Sequence, residues 1–138
     1  MVLDGRLTRM LHMLLHIHLH DGAATSQTIA QMLNTNPVVV RRMMAGLRDR
    51  GYVTAIKGPG GGWRLGRSLE DITVLEVYQA FDSPSLFAMG ATTDHPACPV
   101  ERSVNAAVGK VLSEAEAQVL SRFGAMSLAD VAVDLLDK

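Results

Sequence analysis

Cysteine is all but missing from this chain: Cys98 is the single one among 138 residues, which excludes an internal disulfide framework. Aromatic residues are scarce at 4%, so any core must be built from Leu, Val, Ala and Met, a composition that favours helices over sheets. No apolar run approaches the roughly 20 residues that a membrane span needs. Near the N-terminus His12, His16, His18 and His20 interrupt the apolar segment, so it does not read as a signal peptide. These absences predict a cytoplasmic protein with no membrane partner. Catalytic sets are absent too, because no Ser/His/Asp or Cys/His arrangement stands at a useful spacing, and the chain does not read as an enzyme. What is present is ample apolar material, 48% of residues, which argues against disorder. The length fits one compact domain, or a small domain plus an oligomerisation element.

The formal net charge of -1 hides an asymmetry. Between positions 41 and 67 stand Arg41, Arg42, Arg48, Arg50, Lys57, Arg64 and Arg67 against one acid, Asp49. Beyond position 67 acids outnumber bases. Positive charge gathered in a short segment is an electrostatic footprint for phosphates, although a solvated helix face carries the same signature.

Leu7, Leu11, Leu14 and Leu15, with Met10 and Leu19 near the same stripe, predict a helix from Leu3 to His20, ended by Asp21-Gly22. A second helix is expected over Ser26–Leu33, capped by Thr25 or Ser26 and burying Ile29, Met32 and Leu33. Asn36 and Pro37 then supply an N-cap and a first helical residue for a third helix to about Arg50, with Val40, Met43, Met44 and Leu47 inward and Gly51 as its stop. Two short helices joined by a turn, the second one basic, form the helix-turn-helix layout.

Tyr52–Ile56 reads as a strand, Gly58-Pro59-Gly60-Gly61-Gly62 as a turn and Trp63-Arg64-Leu65 as the returning strand, a hairpin wing. Thr73 and Glu76 form a capping box for a helix through Phe81. A loop rich in Ser, Pro, Gly, Thr and Asp follows, and whether its Leu86, Phe87 and Met89 dock on the core is left open. Cys98-Pro99 opens a helix to about Phe123, roughly 36 Å long by helix geometry and ended by Gly124. That exceeds what a domain of this size needs. Val104, Val108, Val111, Leu112, Ala115, Val119 and Leu120 along it point to packing against a second copy. Ser127 and Asp130 cap a last helix carrying Leu128, Val131, Leu135 and Leu136. The fold class expected is mainly α with a small β-hairpin wing. Its divisions are a winged helix-turn-helix domain over 1–81, a loop over 82–97, and a dimerisation helix with the C-terminal helix over 98–138.

Several of these runs together carry a family resemblance: Ile29-Ala30, Arg41-Arg42, Leu47, Gly51-Tyr52-Val53, Lys57 to Trp63 and Leu65, then Ile72 to Val77, Cys98-Pro99-Val100 and Ser127 to Val131. They resemble the Rrf2 family of bacterial winged-helix regulators, of the IscR/NsrR type, over nearly the whole chain. The Gly-Pro-Gly-Gly-Gly-aromatic wing at this distance from the helix-turn-helix is a fairly specific signal. The resemblance implies a homodimer with crossed long helices that binds a short imperfect palindrome in double-stranded DNA. One departure stands out. Cluster-binding members carry three closely spaced Cys in the loop before the long helix, and here loop 82–97 has none, leaving Cys98 at the last of the three positions. An iron–sulfur cluster needs several thiolate or imidazole ligands, so no cofactor is expected.

For DNA, the start of the recognition helix should meet base edges, which nominates Asn36, Val38, Val39 and Arg42. Arg42 is suited to guanine O6/N7 and the valines to thymine methyls, with Arg41 and Arg48 on phosphates. In the wing, Gly60 and Gly61 permit close backbone approach and Lys57 and Arg64 flank them. The glycine run is not a nucleotide loop, because Trp63-Arg64 follow where Lys-Ser/Thr is required. Trp63 reads as a packing anchor. Cys98, at a helix N-cap, is the candidate redox sensor, since a helix N-terminus stabilises a thiolate. His12, His16 and His20 share a helical face, and Asp4, Asp21 or Asp94 were the carboxylates available to complete a metal site, but structural packing is the stronger reading and no metal is expected.

The function read from the sequence is a homodimeric, sequence-specific DNA-binding transcription regulator, a repressor, with an oxidant or a small molecule as its candidate signal. The rival is a winged-helix module that binds a partner protein and no DNA. The one-sided charge of residues 41–67 argues against that rival, since protein interfaces are depleted of Lys.

Overall fold

A computed structural model describes residues 4–20 and 22–136. Leu3 and Asp21, expected at the two ends of the first helix, lie outside the described residues, as does the side chain of Leu136. Helix α1 spans Arg6–Leu19 and buries Met10, Met13, Leu14 and Ile17, an i, i+3, i+4, i+7 stripe. The face meets the expected stripe at Met10 and Leu14 and adds Met13 and Ile17. Leu7, Leu11 and Leu15 lie half-buried at its flank, and Leu19 is 55% exposed. Met13, which the leucine spacing did not single out, is fully buried beneath the helix.

Helix α2 (Ser26–Met32) starts at Thr25, whose hydroxyl accepts from the Thr28 amide, and α3 (Pro37–Asp49) starts at Asn36 with Pro37 in its first turn. These are the caps expected. Gly51 follows with φ +82°, a conformation that Cβ-bearing residues resist. Strands β1 (Val53–Ile56) and β2 (Gly62–Leu65) pair antiparallel, with Val53 opposite Leu65 and Ala55 opposite Trp63. The wing is fixed to the body at Trp63. Its backbone exchanges two hydrogen bonds with Ala24 (3.0 and 2.7 Å), and its indole N–H donates to Ser26 Oγ at 2.9 Å. Trp63 is therefore the anchor that the sequence suggested.

A short 3-10 turn at Leu69–Asp71 leads into α4 (Val74–Gln79). Here the expected capping box is half made. Thr73 Oγ1 accepts from the Glu76 amide at 3.1 Å, whereas the Glu76 carboxylate turns to Arg67 at 3.6 Å. The helix ends at Gln79, two residues before Phe81. Helix α5 (Pro99–Gly124) has 26 residues, about 39 Å by helix rise. Gly124 is its last residue and not its stop, because Ala125 follows as the cap in ordinary right-handed geometry.

The C-terminal helix is two short pieces, α6 (Leu128–Val131) and α7 (Val133–Leu136). The Ser127/Asp130 capping box opens α6 as expected, with both reciprocal bonds formed (3.1 and 2.9 Å). Leu128 is fully buried among the residues of the winged domain, while Val131 and Leu135 are exposed at 39% and 51%. Backbone bonds from Leu128 to Ile72 and from Val74 to Met126 stitch this return to the start of α4. The chain's last segment thus completes the core of its first.

Candidate nucleic-acid interface

Helix α3 is amphipathic. Val40, Met44 and Leu47 are buried, and the opposite face presents Val38, Arg41, Arg42 and Arg48. The N-cap Asn36 spends its side-chain oxygen on the Val39 amide at 3.1 Å, which leaves its NH2 group free to donate outward. Val38 is 55% exposed, enough apolar surface to meet a base methyl. Val39 is half-buried and lines, with Arg42, Met43 and Gly46, a cavity beneath the helix. No acid stands in the first turn of α3, so its positive dipole end faces outward uncancelled.

The wing stands next in sequence and packs on the same body. Lys57, Gly60 and Arg64 are exposed on it, and Gly61 is half-buried. The two glycines differ in why they are needed. Gly60, with φ +73°, has open space where a Cβ would stand, whereas a Cβ at Gly61 would lie 2.3 Å from Ile56 O and 2.7 Å from Gly58 O. Gly61 is required by the hairpin itself.

Not every cation of the basic segment belongs to this surface. Arg67 is held by Glu76 and stacks over the Tyr52 ring at 5.1 Å, which makes it a brace between hairpin and α4. Arg48 leans toward Asp49 at 3.9 Å. Among the described residues Arg41, Arg42, Arg50, Lys57 and Arg64 enter no ion pair. The unneutralised cations of this segment therefore lie on α3, just past its end, just past β1 and on β2. An exposed, rigid helix flanked by a basic hairpin is a shape that fits a groove lined by phosphates.

The histidine face comes apart. His12 and His16 approach, Nε2 to Nε2, at 2.8 Å, but His20 lies past the helix end with Nδ1 on the Gly22 carbonyl. Among the described residues no three His, Cys, Asp or Glu side chains converge as metal ligands. Asp21 lies outside those residues. Cys98 is half-buried and caps α5 by its backbone alone. A bridge of hydrogen bonds holds the preceding loop against that helix. Asn105 pairs with both backbone groups of Thr92, and Glu101 accepts from the His95 amide. Leu86 and Phe87 are half-buried and Met89 is exposed.

Helix α5 buries no residue. Val100, Val104, Val108 and Val111 stand exposed along it, Val100 at 69% and Val111 at 64%. The sequence did not reveal Arg6, Arg9 and Phe81 as neighbours of the recognition helix. They come from α1 and from the end of α4, and only the tertiary fold brings them beside α3. The i, i+3 spacing of Arg6 and Arg9 was the only local hint.

Comparison with known proteins agrees with this geometry. The model of the Rrf2 family, described as iron-dependent transcriptional regulators, matches residues 3–134. YwnA of Bacillus subtilis (strain 168), whose name places it among HTH-type transcriptional regulators, is 33% identical over 131 residues, covering 94% of this chain and 96% of YwnA. A crystal structure from Lactobacillus plantarum, described as a transcriptional regulator, superposes with a TM-score of 0.77 at 23% identity, covering 96% of this chain and 91% of that one. IscR of T. potens gives a TM-score of 0.69 at 18% identity, covering 98% and 88%. These two likenesses are of fold.

Proposed function

This chain belongs to the Rrf2 family of transcriptional regulators, and from that premise we propose that it is a homodimeric repressor that reads an operator with α3 and grips it with the wing. The observation that carries the reading is the coincidence of exposed helix face and unneutralised charge on α3 and the hairpin. Arg42 and Asn36 take base edges, Val38 and Val39 apolar base surface. Arg41, Arg48, Lys57 and Arg64 take phosphates, and Gly60 and Gly61 let the wing backbone come close. The exposed valine stripe of α5 supports the dimer, since an apolar face of this length otherwise meets water. No helix among the described residues is long and apolar enough to cross a membrane.

The family's iron–sulfur cluster does not fit the donors present. Cys98 is the only thiol in the chain, and no three potential ligands converge among the described residues. Control by a peroxide-class oxidant acting on Cys98 is the alternative, and Cys98→Ser tests it: DNA binding that weakens with peroxide in the wild type and not in the variant supports it, equal responses remove it.

The test of the whole reading is selection of duplexes from a random pool by the purified protein. Recovery of a palindromic consensus bound by two chains supports it. Failure to enrich any duplex, with partner proteins bound instead, would favour the interaction-module alternative.

A further inference from the structure

Beneath the recognition helix lies a cavity of about 570 Å³, walled by Met10 and Arg9 of α1, Val39, Arg42 and Met43 of α3, and Phe81 just beyond α4. Its size falls within the ordinary range of small-molecule sites, and its character matches them, an apolar interior with few convergent polar groups. The walls are Met side chains and an aromatic ring, which adapt to and favour a flat apolar body.

The charges at its edge are specific. Arg6 is already committed, held by Asp4 at 2.7 Å and stacked over Phe81 at 5.4 Å. Arg9 and Arg42 enter no ion pair among the described residues, and Asp82 is the one acid that lines the cavity. Two open guanidinium groups against one carboxylate suit a monoanion, and a guanidinium's planar fork matches a carboxylate in two hydrogen bonds.

We infer that this cavity is an effector site for a small apolar carboxylic acid in its ionised form, seated between Arg9 and Arg42, and that its occupancy weakens DNA binding. The coupling is local. The residue that anchors the acid from α3 is Arg42, and one guanidinium cannot hold an anion inside the cavity and a base edge outside at once. The coupling half rests on the DNA-binding reading above, and the site half does not.

The probes are 2-naphthoate and its uncharged counterpart 2-naphthamide, titrated calorimetrically into the full chain without DNA. The site predicts one naphthoate per chain, with the amide weaker by about tenfold or more. Arg9→Gln, on α1 and not among the residues assigned above to DNA, should lose that preference. Ala80→Leu, which fills the cavity from the end of α4, should lose binding of both probes. Absence of naphthoate binding at millimolar concentration, equal binding of acid and amide, or an indifferent Arg9→Gln would each overturn the site. On selected operator DNA, naphthoate should weaken wild-type binding about tenfold. It should leave Arg9→Gln unaffected, and that variant should bind DNA normally without the acid. Charge-selective naphthoate binding with unchanged operator affinity would overturn the coupling. If naphthoate binds with that selectivity but the protein binds no DNA, the site stands and the DNA reading fails.

Discussion

Arg41 and Arg42 are neighbours in the chain with different surroundings in the fold. Both are exposed, but Arg42 lines the cavity and Arg41 does not. Arg42→Ala should therefore cost about 1–3 kcal/mol and relax specificity at one base pair. Arg41→Ala should weaken all sequences alike and lower the salt slope by about one. Anisotropy titrations on operator and single-base variants separate the two. At Trp63, Ser26→Ala removes the acceptor of the indole N–H while keeping the ring, a loss of about 1 kcal/mol read by denaturant unfolding. His16 carries a pH dependence. Burial, with His12 beside it, pushes its pKa below the ordinary 6.5. The unfolded chain then binds the proton more readily than the folded chain, so stability is whole above pH 6.5 and declines as pH falls through the lowered value. Thermal melts between about pH 7 and about pH 5 should fall more steeply for the wild type than for His16→Gln.

At the level of elements, the long helix and the terminal cap make separate claims. Val108 lies 47% exposed in the middle of the α5 stripe, and Val108→Glu should convert the proposed dimer to monomers in sedimentation while leaving the helical content intact. Ser127→Ala should destabilise the fold by about 1 kcal/mol, because α6 closes the core beneath α4. Local signals made these elements legible. Asn36-Pro37 and Ser127-Asp130 fix a backbone state through their own side chains, and Gly51 and the Gly-Pro-Gly run do so by lacking a Cβ at positive φ; the structure places caps and turns there. What sequence misjudged depended on distant partners. The buried face of α1 follows what packs under it, and Glu76 forsakes its capping role because Arg67 arrives from the hairpin. The DNA-facing candidates could be named from α3 and the wing, since their exposure follows from helical period. The cavity could not, because its walls come from α1, α3 and the turn after α4, far apart in the chain.

For the whole molecule, the charge asymmetry is the governing feature. A basic segment on α3 and the hairpin is carried by a chain of net charge -1 and leaves the rest of the chain acidic, a distribution suited to a phosphate-bearing partner. The dimer would present two such surfaces to one palindrome, so affinity should depend on both the spacing of half-sites and ionic strength. The most direct measurement is the affinity of the wild type and Arg42→Ala for a selected operator and for a scrambled duplex across a salt series. The account predicts tight operator binding that falls steeply with salt, weaker scrambled binding, and a variant in which that gap narrows. Equal affinity of the wild type for both duplexes, or affinity indifferent to salt, would contradict it.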